Sequence, residues 1–545
     1  MEREKKLVTG YKLIFGYMGT IITLIGVIML LPLFVILFYH DESKYAVNFL
    51  VPALFSIGLG LLLSLLIMGK PKGRLKKNQD SIIVVLLWVV SFLLCALPWF
   101  LDGRLAGASI AKYSFSESMF EVVSGFTTTG LSMVDVTTEA HIYLMFRSIM
   151  LFFGGVGLVL VMLSVFSDTY GLSLYQAEGH ADRLLPNLVK SSRVILAIYL
   201  LYITIGTVLY VSFGMQTFDA INHSIAAVST GGFSTKAESI GAYNSLPIEI
   251  TTIVLMFLGS TNFFAHLYLL RGKIKEFFKY NEVKVMLIIL ALIIPVTTLV
   301  SLYTDPSLSL EYAIRYSSFH VVSALTGTGF QLKDMSTFAS PVLFILIFMM
   351  VLGGNTGSTS GGLKMYRVGI IFRNIRWTVE DSIGSKNVCR THYVQRLDGR
   401  EYVDDNTVSK VHAFAFLYML LLIIGTIIFA MFNDLDNVSN AYKFEASLFE
   451  FASAIGTVGL GMGITHAGAP NIILWTTITG MFLGRLEIYV VLTTIIRVGK
   501  DGRNGLKNLF FKKSSERKQK KIEKHVKERK AEIAKRQQIL VNSLD

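Results

Sequence analysis

Four short stretches of this sequence combine serine, threonine and glycine in one pattern. They are SGFTTTGLS at 124–132, AAVSTGGFS at 226–234, SALTGTGFQ at 323–331 and SAIGTVGLG at 453–461. The strands leading into the shared glycine are Thr127-Thr128-Thr129-Gly130, Ser229-Thr230-Gly231-Gly232, Thr326-Gly327-Thr328-Gly329 and Gly456-Thr457-Val458-Gly459. None of these residues carries a charge. Glycine takes up positive φ freely, so neighbouring carbonyls can turn the same way. Hydroxyls add further oxygens. A strand of this kind can replace the water shell of a monovalent cation by dipoles, without a carboxylate ring. One such stretch alone also reads as a helix-packing face. Four at matched positions weigh against that, and a pore needs several strands around an axis.

The elements that must hold such strands lie in a membrane. Of 545 residues, 52% are hydrophobic and 16% charged, with mean hydropathy +0.56. Soluble domains carry roughly 25% charged residues. Apolar spans run near 12–38, 46–69, 81–101, 142–166, 193–214, 246–270, 285–303, 340–370, 411–433 and 470–498. The first is too long for a signal-peptide core and no small-residue cleavage site follows it. Each Ser/Thr/Gly stretch follows a long span and then a segment of about 12 residues, such as YSFSESMFEVVS at 113–124 or AYKFEASLFEFAS at 441–453. A helix that short cannot cross a bilayer of about 30 Å; it can enter partway and return. The chain therefore reads as an all-α polytopic membrane protein. Four pseudo-symmetric units of span, pore half-helix, strand and span surround one pore, and two N-terminal transmembrane helices stand outside the repeat. The expected division is 1–78 for those two helices, 79–180, 181–280, 281–405 and 406–500 for the four repeats, and 501–545 for a basic tail. Half-helix C-termini at the strands would point negative dipole ends toward the pore centre, which favours cations.

Net charge is +13, and the segment from Lys500 to Asp545 holds 15 Lys/Arg against 6 Asp/Glu. The N-terminal MEREKK and the loops at 69–77 and 271–279 are basic too. By the positive-inside rule, an even number of spans places both termini in the cytoplasm. These bases flank membrane spans, so nucleic acid is not the expected partner. The charged segment 513–538 reads equally as a solvated helix or as one that touches anionic membrane lipid or a protein partner. Cys95 and Cys389 fall in different environments, which argues against a disulfide. No Ser/His/Asp or metal-ligand spacing recurs, so the chain does not read as an enzyme.

Two further segments carry potential chemistry. GGNTGSTSGGLK at 353–364 sits within an apolar span, where each glycine costs about 1 kcal/mol in a helix relative to alanine. It lacks the GK[ST] ending of a phosphate-cradling loop. It reads as a loop under the strands that acts as a gate, or as a broken helix that packs tightly. Its residues are Gly353, Gly354, Asn355, Thr356, Gly357, Ser358, Thr359, Ser360, Gly361, Gly362 and, at the end, Lys364. In MFLGRLEIYVV at 481–491, Arg485 lies midway along a span, a costly place for a charge unless it faces water or a partner. It stands either in the pore as an electrostatic barrier or paired with a buried carboxylate such as Glu121 or Glu450. Glu117, Glu121, His223, His320, Glu445 and Glu450 on the half-helices, and His266 near a span end, read as structural partners.

TVGLG at 457–461 resembles the TVGYG of potassium channels. Together with SGFTTTG, STGGFST, GSTSGG followed by LK, and GRLE, it makes the chain similar to the TrkH family of the Trk/Ktr/HKT superfamily of potassium transporters, up to about residue 500. The resemblance implies potassium uptake, with K+ as the transported ion and no organic cofactor. It implies a homodimer, one pore per subunit and a cytosolic nucleotide-binding regulatory ring of the TrkA kind. Gly130, Gly232, Gly329 and Gly459 match the family's filter glycines, 353–364 its gating loop and Arg485 its conduction-pathway arginine. The superfamily's sodium-preferring members are associated with serine in the first unit, so Gly130 argues for potassium. A sodium-coupled or sodium-conducting relative and a membrane scaffold or sensor with a closed pore are the other readings.

Overall fold

The computed structural model describes residues 10–68, 79–103, 112–157, 188–383, 391–396, 399–435 and 439–503. The basic loop 69–77, the end of the span at 142–166, Cys389 and the charged segment 513–538 lie outside the described residues. Two compact units divide the chain, Met1–Val491 and Leu492–Asp545. Of the second, residues 492–503 are described, and they are helical.

The first unit begins with α1 (Tyr11–Leu30) and α2 (Ala46–Ser64). They pack through small residues. A Cβ on Gly19 would lie 2.4 Å from Ser64 N, and one on Gly60 would lie 2.5 Å from Thr23 N. Small residues at such contacts let membrane helices approach to backbone distance. Glu42, between the two helices, accepts hydrogen bonds from His141 N at 2.8 Å and Ile142 N at 2.9 Å, which ties this pair to the next element group.

Four groups of elements follow. The first is α3 (Gln79–Cys95), α4 (Leu97–Leu101), the half-helix α5 (Phe115–Phe126) and α6 (His141–Val156). The second is α7 (Leu188–Ser212), the half-helix α8 (Thr217–Val228), then α9 (Leu246–Gly259) and α10 (Phe263–Leu270). After α11 (Ile274–Lys279) comes the third: α12 (Asn281–Thr304), half-helix α13 (Leu310–Thr326), α14 (Ser340–Leu352) and α15 (Met365–Ile383). The fourth is α16 (Asp405–Phe432), half-helix α17 (Asn440–Gly456) and α18 (Asn471–Arg485). Three half-helices start at a serine cap: Ser114 with Glu117 in a reciprocal capping box, Ser309 on Tyr312 N and Ser439 on Tyr442 N. Such caps satisfy the donors that a helix start leaves open. The half-helices of the third and fourth groups reach 17 residues, longer than the 12 that the sequence suggests. The only strands among the described residues are Tyr393–Arg396 and Gly399–Tyr402, an antiparallel hairpin with Tyr393 opposite Tyr402. Val394 and Val403 bury it against Ile370 and Val411.

Six described helical segments are long and apolar enough to span a membrane, among them 281–304 and 405–432. Their outward residues, such as Leu292, Leu299, Phe416 and Ile423, are exposed and apolar, as lipid requires. The helix that follows each half-helix, hereafter the second helix of its group (α6, α9, α14 and α18), is shorter, at 16, 14, 13 and 15 residues. This corrects the reading of 246–270 and 470–498 as continuous spans, while the interruption expected within 340–370 is present. The second bends by 114° between α9 and α10. The third stops at Gly353, with φ 72°, and the fourth breaks at Leu486 and Glu487, with Glu487 at φ 60°. Window-averaged hydropathy does not register the breaks after Gly259 and Arg485, because the freed backbone groups are satisfied inside the protein and the flanking segments stay apolar.

The second helices lie against the ends of the half-helices. A Cβ on Gly154 would meet Phe126 O at 2.0 Å, one on Gly259 Val228 O at 2.4 Å, and one on Gly484 Ile455 O at 2.0 Å. Backbone cannot retreat as a side chain can. Gly484→Ala should therefore cost about 1–3 kcal/mol through overpacking. Gly58→Ala, where nothing lies within 4 Å, should leave the melt unchanged. Thermal melts of the two purified variants in detergent check this; equal melting temperatures would contradict it.

Candidate functional site

The four Ser/Thr/Gly strands meet in a closed cycle. A Cβ built on Gly130 would lie 2.3 Å from Gly231 O, and one on Gly232 would lie 2.0 Å from Thr328 O. One on Gly329 would lie 1.9 Å from Val458 O, and one on Gly459 would lie 2.2 Å from Thr129 O. First strand touches second, second touches third, third touches fourth, and fourth returns to first. Each of these glycines has positive φ, at 94°, 60°, 82° and 98°. Two residues earlier, Thr128, Thr230, Gly327 and Thr457 are also left-handed, at 54°, 51°, 71° and 52°. This alternation turns the intervening carbonyls alike in all four strands.

The same backbone bond pins each strand to its half-helix. Thr129 N donates to Ser124 O at 2.9 Å, Gly231 N to Ala226 O at 2.9 Å, Thr328 N to Ser323 O at 3.0 Å and Val458 N to Ser453 O at 2.8 Å. Serine side chains add a second pin, since Gly130 N donates to Ser124 Oγ at 3.1 Å and Gly459 N to Ser453 Oγ at 2.9 Å. The negative ends of four helix dipoles thus arrive at one ring. On one side of the ring lies a cavity of about 360 Å³ lined by Gly130, Gly232, Gly329 and Gly459 together. Among the described residues no group of three or more His, Cys, Asp or Glu is arranged to hold a metal ion.

The glycine-rich loop lies against the half-helix ends of the strands. Thr359 Oγ1 is 2.8 Å from Thr230 Oγ1, and Thr128 Oγ1 donates to Thr359 O at 3.4 Å. A Cβ on Gly327 would meet Ser360 Oγ at 2.8 Å, and one on Gly361 would meet Thr457 Oγ1 at 2.3 Å. Thr359, Ser360 and Gly361 therefore touch all four strands between them. The loop is anchored from below. Asn355 N donates to Ser260 O at 3.0 Å, and Thr359 Oγ1 donates to Gly259 O at 2.9 Å, so it takes up carbonyls freed at the break after α9. Asn262 Nδ2 donates to Thr356 O at 2.6 Å. Lys364 Nζ donates to Ser360 O, folding the loop on itself. Gly353, Gly354, Gly357, Ser358 and Gly362 complete the turn.

Arg485, at the end of α18, donates to Thr359 O and to Gly154 O and Gly155 O, the last carbonyls of α6. Two carboxylates offered by the sequence as its partners are engaged elsewhere. Glu121 pairs with Arg147 Nε at 2.8 Å, and Glu450 accepts the backbone N–H groups of Met462, Ile464 and Thr465. Glu487 pairs with Arg367 at 2.8 Å. His266 spans the α9–α10 break, with Nε2 3.0 Å from Leu258 O and Nδ1 3.0 Å from Tyr202 Oη. Arg147 escapes a reading by motif. It is buried, donates to Ser234 O at 3.2 Å and stacks 4.0 Å over Phe233, so it binds the first strand's support to the second's. Its signal was a charge inside a span.

Comparison with known proteins bears on the family and the fold. The TrkH family model, described as a cation transport protein, matches residues 61–503. The Trk system potassium uptake protein TrkG of Escherichia coli is 30% identical over 486 residues, covering 87% of this chain and 95% of that protein. An uncharacterized cation transporter of Methanocaldococcus jannaschii is 29% identical over 482 residues, covering 88% of this chain and 94% of its own. The crystal structure of the potassium transporter TrkH from Vibrio parahaemolyticus shares the fold, with a TM-score of 0.74 at 24% identity over 89% of this chain and 98% of that one. The chain is a multi-pass membrane protein and belongs to the TrkH family of cation transport proteins.

Proposed function

We propose that this chain takes up potassium across the cell membrane through one channel-like pore. The observation that carries the reading is the closed cycle in which each ring glycine abuts a carbonyl of the next strand. Carbonyls so arranged offer a dehydrated cation a substitute for its water shell. The relatives named as potassium uptake proteins supply the identity of the ion. The filter is formed by residues 127–130, 229–232, 326–329 and 456–459. Residues 353–364 form the gate, since Thr359, Ser360 and Gly361 block the strands on the half-helix side. Arg485 raises an electrostatic barrier there and holds the gate by its bond to Thr359 O.

The division into two N-terminal helices (1–78), four repeats (79–180, 181–280, 281–405 and 406–500) and a basic tail (501–545) belongs to the same proposal. So do both termini in the cytoplasm, a homodimer and a cytosolic regulatory ring of the TrkA kind. Rubidium-tracer uptake into potassium-loaded proteoliposomes tests the core of it. Uptake blocked by external potassium but not by sodium is expected; uptake blocked equally by both would overturn the choice of ion.

Two variants follow. Gly232→Ser places a side chain 2.0 Å from Thr328 O at a backbone with φ 60°. Strain of about 1–3 kcal/mol should lower the rubidium-over-sodium flux ratio about fivefold or more. An unchanged ratio would contradict the filter assignment. Deleting 355–360 should raise tracer flux in folded protein, and unchanged flux would remove the gate assignment.

A further inference from the structure

The four half-helices carry a polar side chain at one matched place, nine residues before the ring glycine: Glu121, His223, His320 and Glu450. All four are buried, at 1%, 0%, 1% and 0% exposure. All four reach across to the chain just beyond the ring. Glu121 accepts from Met133 N at 3.0 Å and from Ser132 Oγ at 3.1 Å. Glu450 accepts from Met462 N at 2.8 Å, Ile464 N at 3.0 Å and Thr465 N at 2.6 Å, and from the Thr465 hydroxyl. His320 Nε2 accepts from Leu332 N at 3.2 Å, while its Nδ1–H donates to Tyr316 O at 2.8 Å. His223 Nε2 accepts from the Ser234 hydroxyl at 2.9 Å, and its Nδ1–H donates to Asp219 O at 2.8 Å. Each imidazole faces a carbonyl through Nδ1, which fixes that tautomer.

A single buried polar residue with partners is ordinary. A fourfold repetition aimed at one segment is not. Ser132, Ser234, Gln331 and Thr465 of that segment line the 360 Å³ cavity beside the ring. Each strand is therefore held at two ends, by the backbone bond to its half-helix on one side of the glycine and by this side chain on the other.

We propose that Glu121, His223, His320 and Glu450 are positioning residues for ion selectivity. They brace the far end of each strand so that the ring cannot contract around a smaller cation. Two strands are braced by carboxylates and two by neutral imidazoles. The inference rests on the filter reading above and adds the residues that keep the filter's size.

The test compares replacements that keep or remove the acceptor. In proteoliposomes, His320→Leu leaves Leu332 N–H without its partner, and Glu450→Gln turns an NH2 group against N–H donors. Each should lower the rubidium-over-sodium flux ratio about three- to tenfold, the worth of one hydrogen bond. His320→Gln presents an oxygen near the place of Nε2 and should keep the ratio within about twofold of wild type. A merely structural role would lower melting temperature and leave the ratio unmoved. Should His320→Leu not fold, His223→Leu against His223→Gln makes the same comparison in the second strand. Selective wild-type protein whose Leu and Gln variants all keep its ratio overturns this inference alone. Wild-type protein that passes both ions alike overturns the filter reading and this inference with it.

Discussion

Everything in this fold depends on four glycines having no Cβ. At each of them the neighbouring strand's carbonyl stands about where a side chain would begin, between 1.9 and 2.3 Å from an ideal Cβ. A methyl group at one position would force its two strands apart and open the cycle. The half-helices deliver their C-terminal ends to this ring, and small residues in α6, α9 and α18 allow the second helices to press against those ends. The bilayer sets the terms. Lipid offers no hydrogen bonds, so carbonyls left unpaired at membrane depth are tolerated only where protein surrounds them or where they line a cavity.

The same constraint explains the side of the ring opposite the cavity. Each second helix ends within the protein as far as the described residues run, and each end leaves carbonyls that lipid cannot satisfy. Those of Gly259 and Ser260 are taken up by Thr359 and Asn355 of the third group's loop. Those of Gly154 and Gly155 are taken up by Arg485 at the fourth group's break, which also holds Thr359 O. Arg367 and Glu487 join the third and fourth groups once more at 2.8 Å. The loop therefore rests on bonds from the first, second and fourth groups. A shift in any of them reaches the residues that touch all four strands.

Much of this was legible in the sequence, for a physical reason. A strand that exposes carbonyls must be built of small residues, and SGFTTTG, STGGF, TGTGF and GTVGL announce that in a chain otherwise rich in leucine, isoleucine and phenylalanine. The run of glycines at 353–364 likewise marks a helix that cannot continue. The breaks after Gly259 and Arg485 left no such mark. Ser260, Thr261 and Asn262 pass as ordinary small polar residues in a span, and Glu487 takes a positive φ that its type does not suggest. Partner choice was also hidden. Arg485 and Glu121 invite pairing by charge, but Glu121 has Arg147 26 residues on, while Arg485 binds carbonyls more than 100 residues away. Only the folded backbone brings those together.

The central claim is that four strands of one chain bind a dehydrated potassium-sized cation on their common axis. Crystals grown with thallium, a potassium mimic with strong anomalous scattering, test it most directly. The account predicts anomalous peaks on the axis, within coordination distance of the carbonyls of Thr129, Gly231, Thr328 and Val458. An occupied crystal with thallium elsewhere and none inside the ring would contradict it.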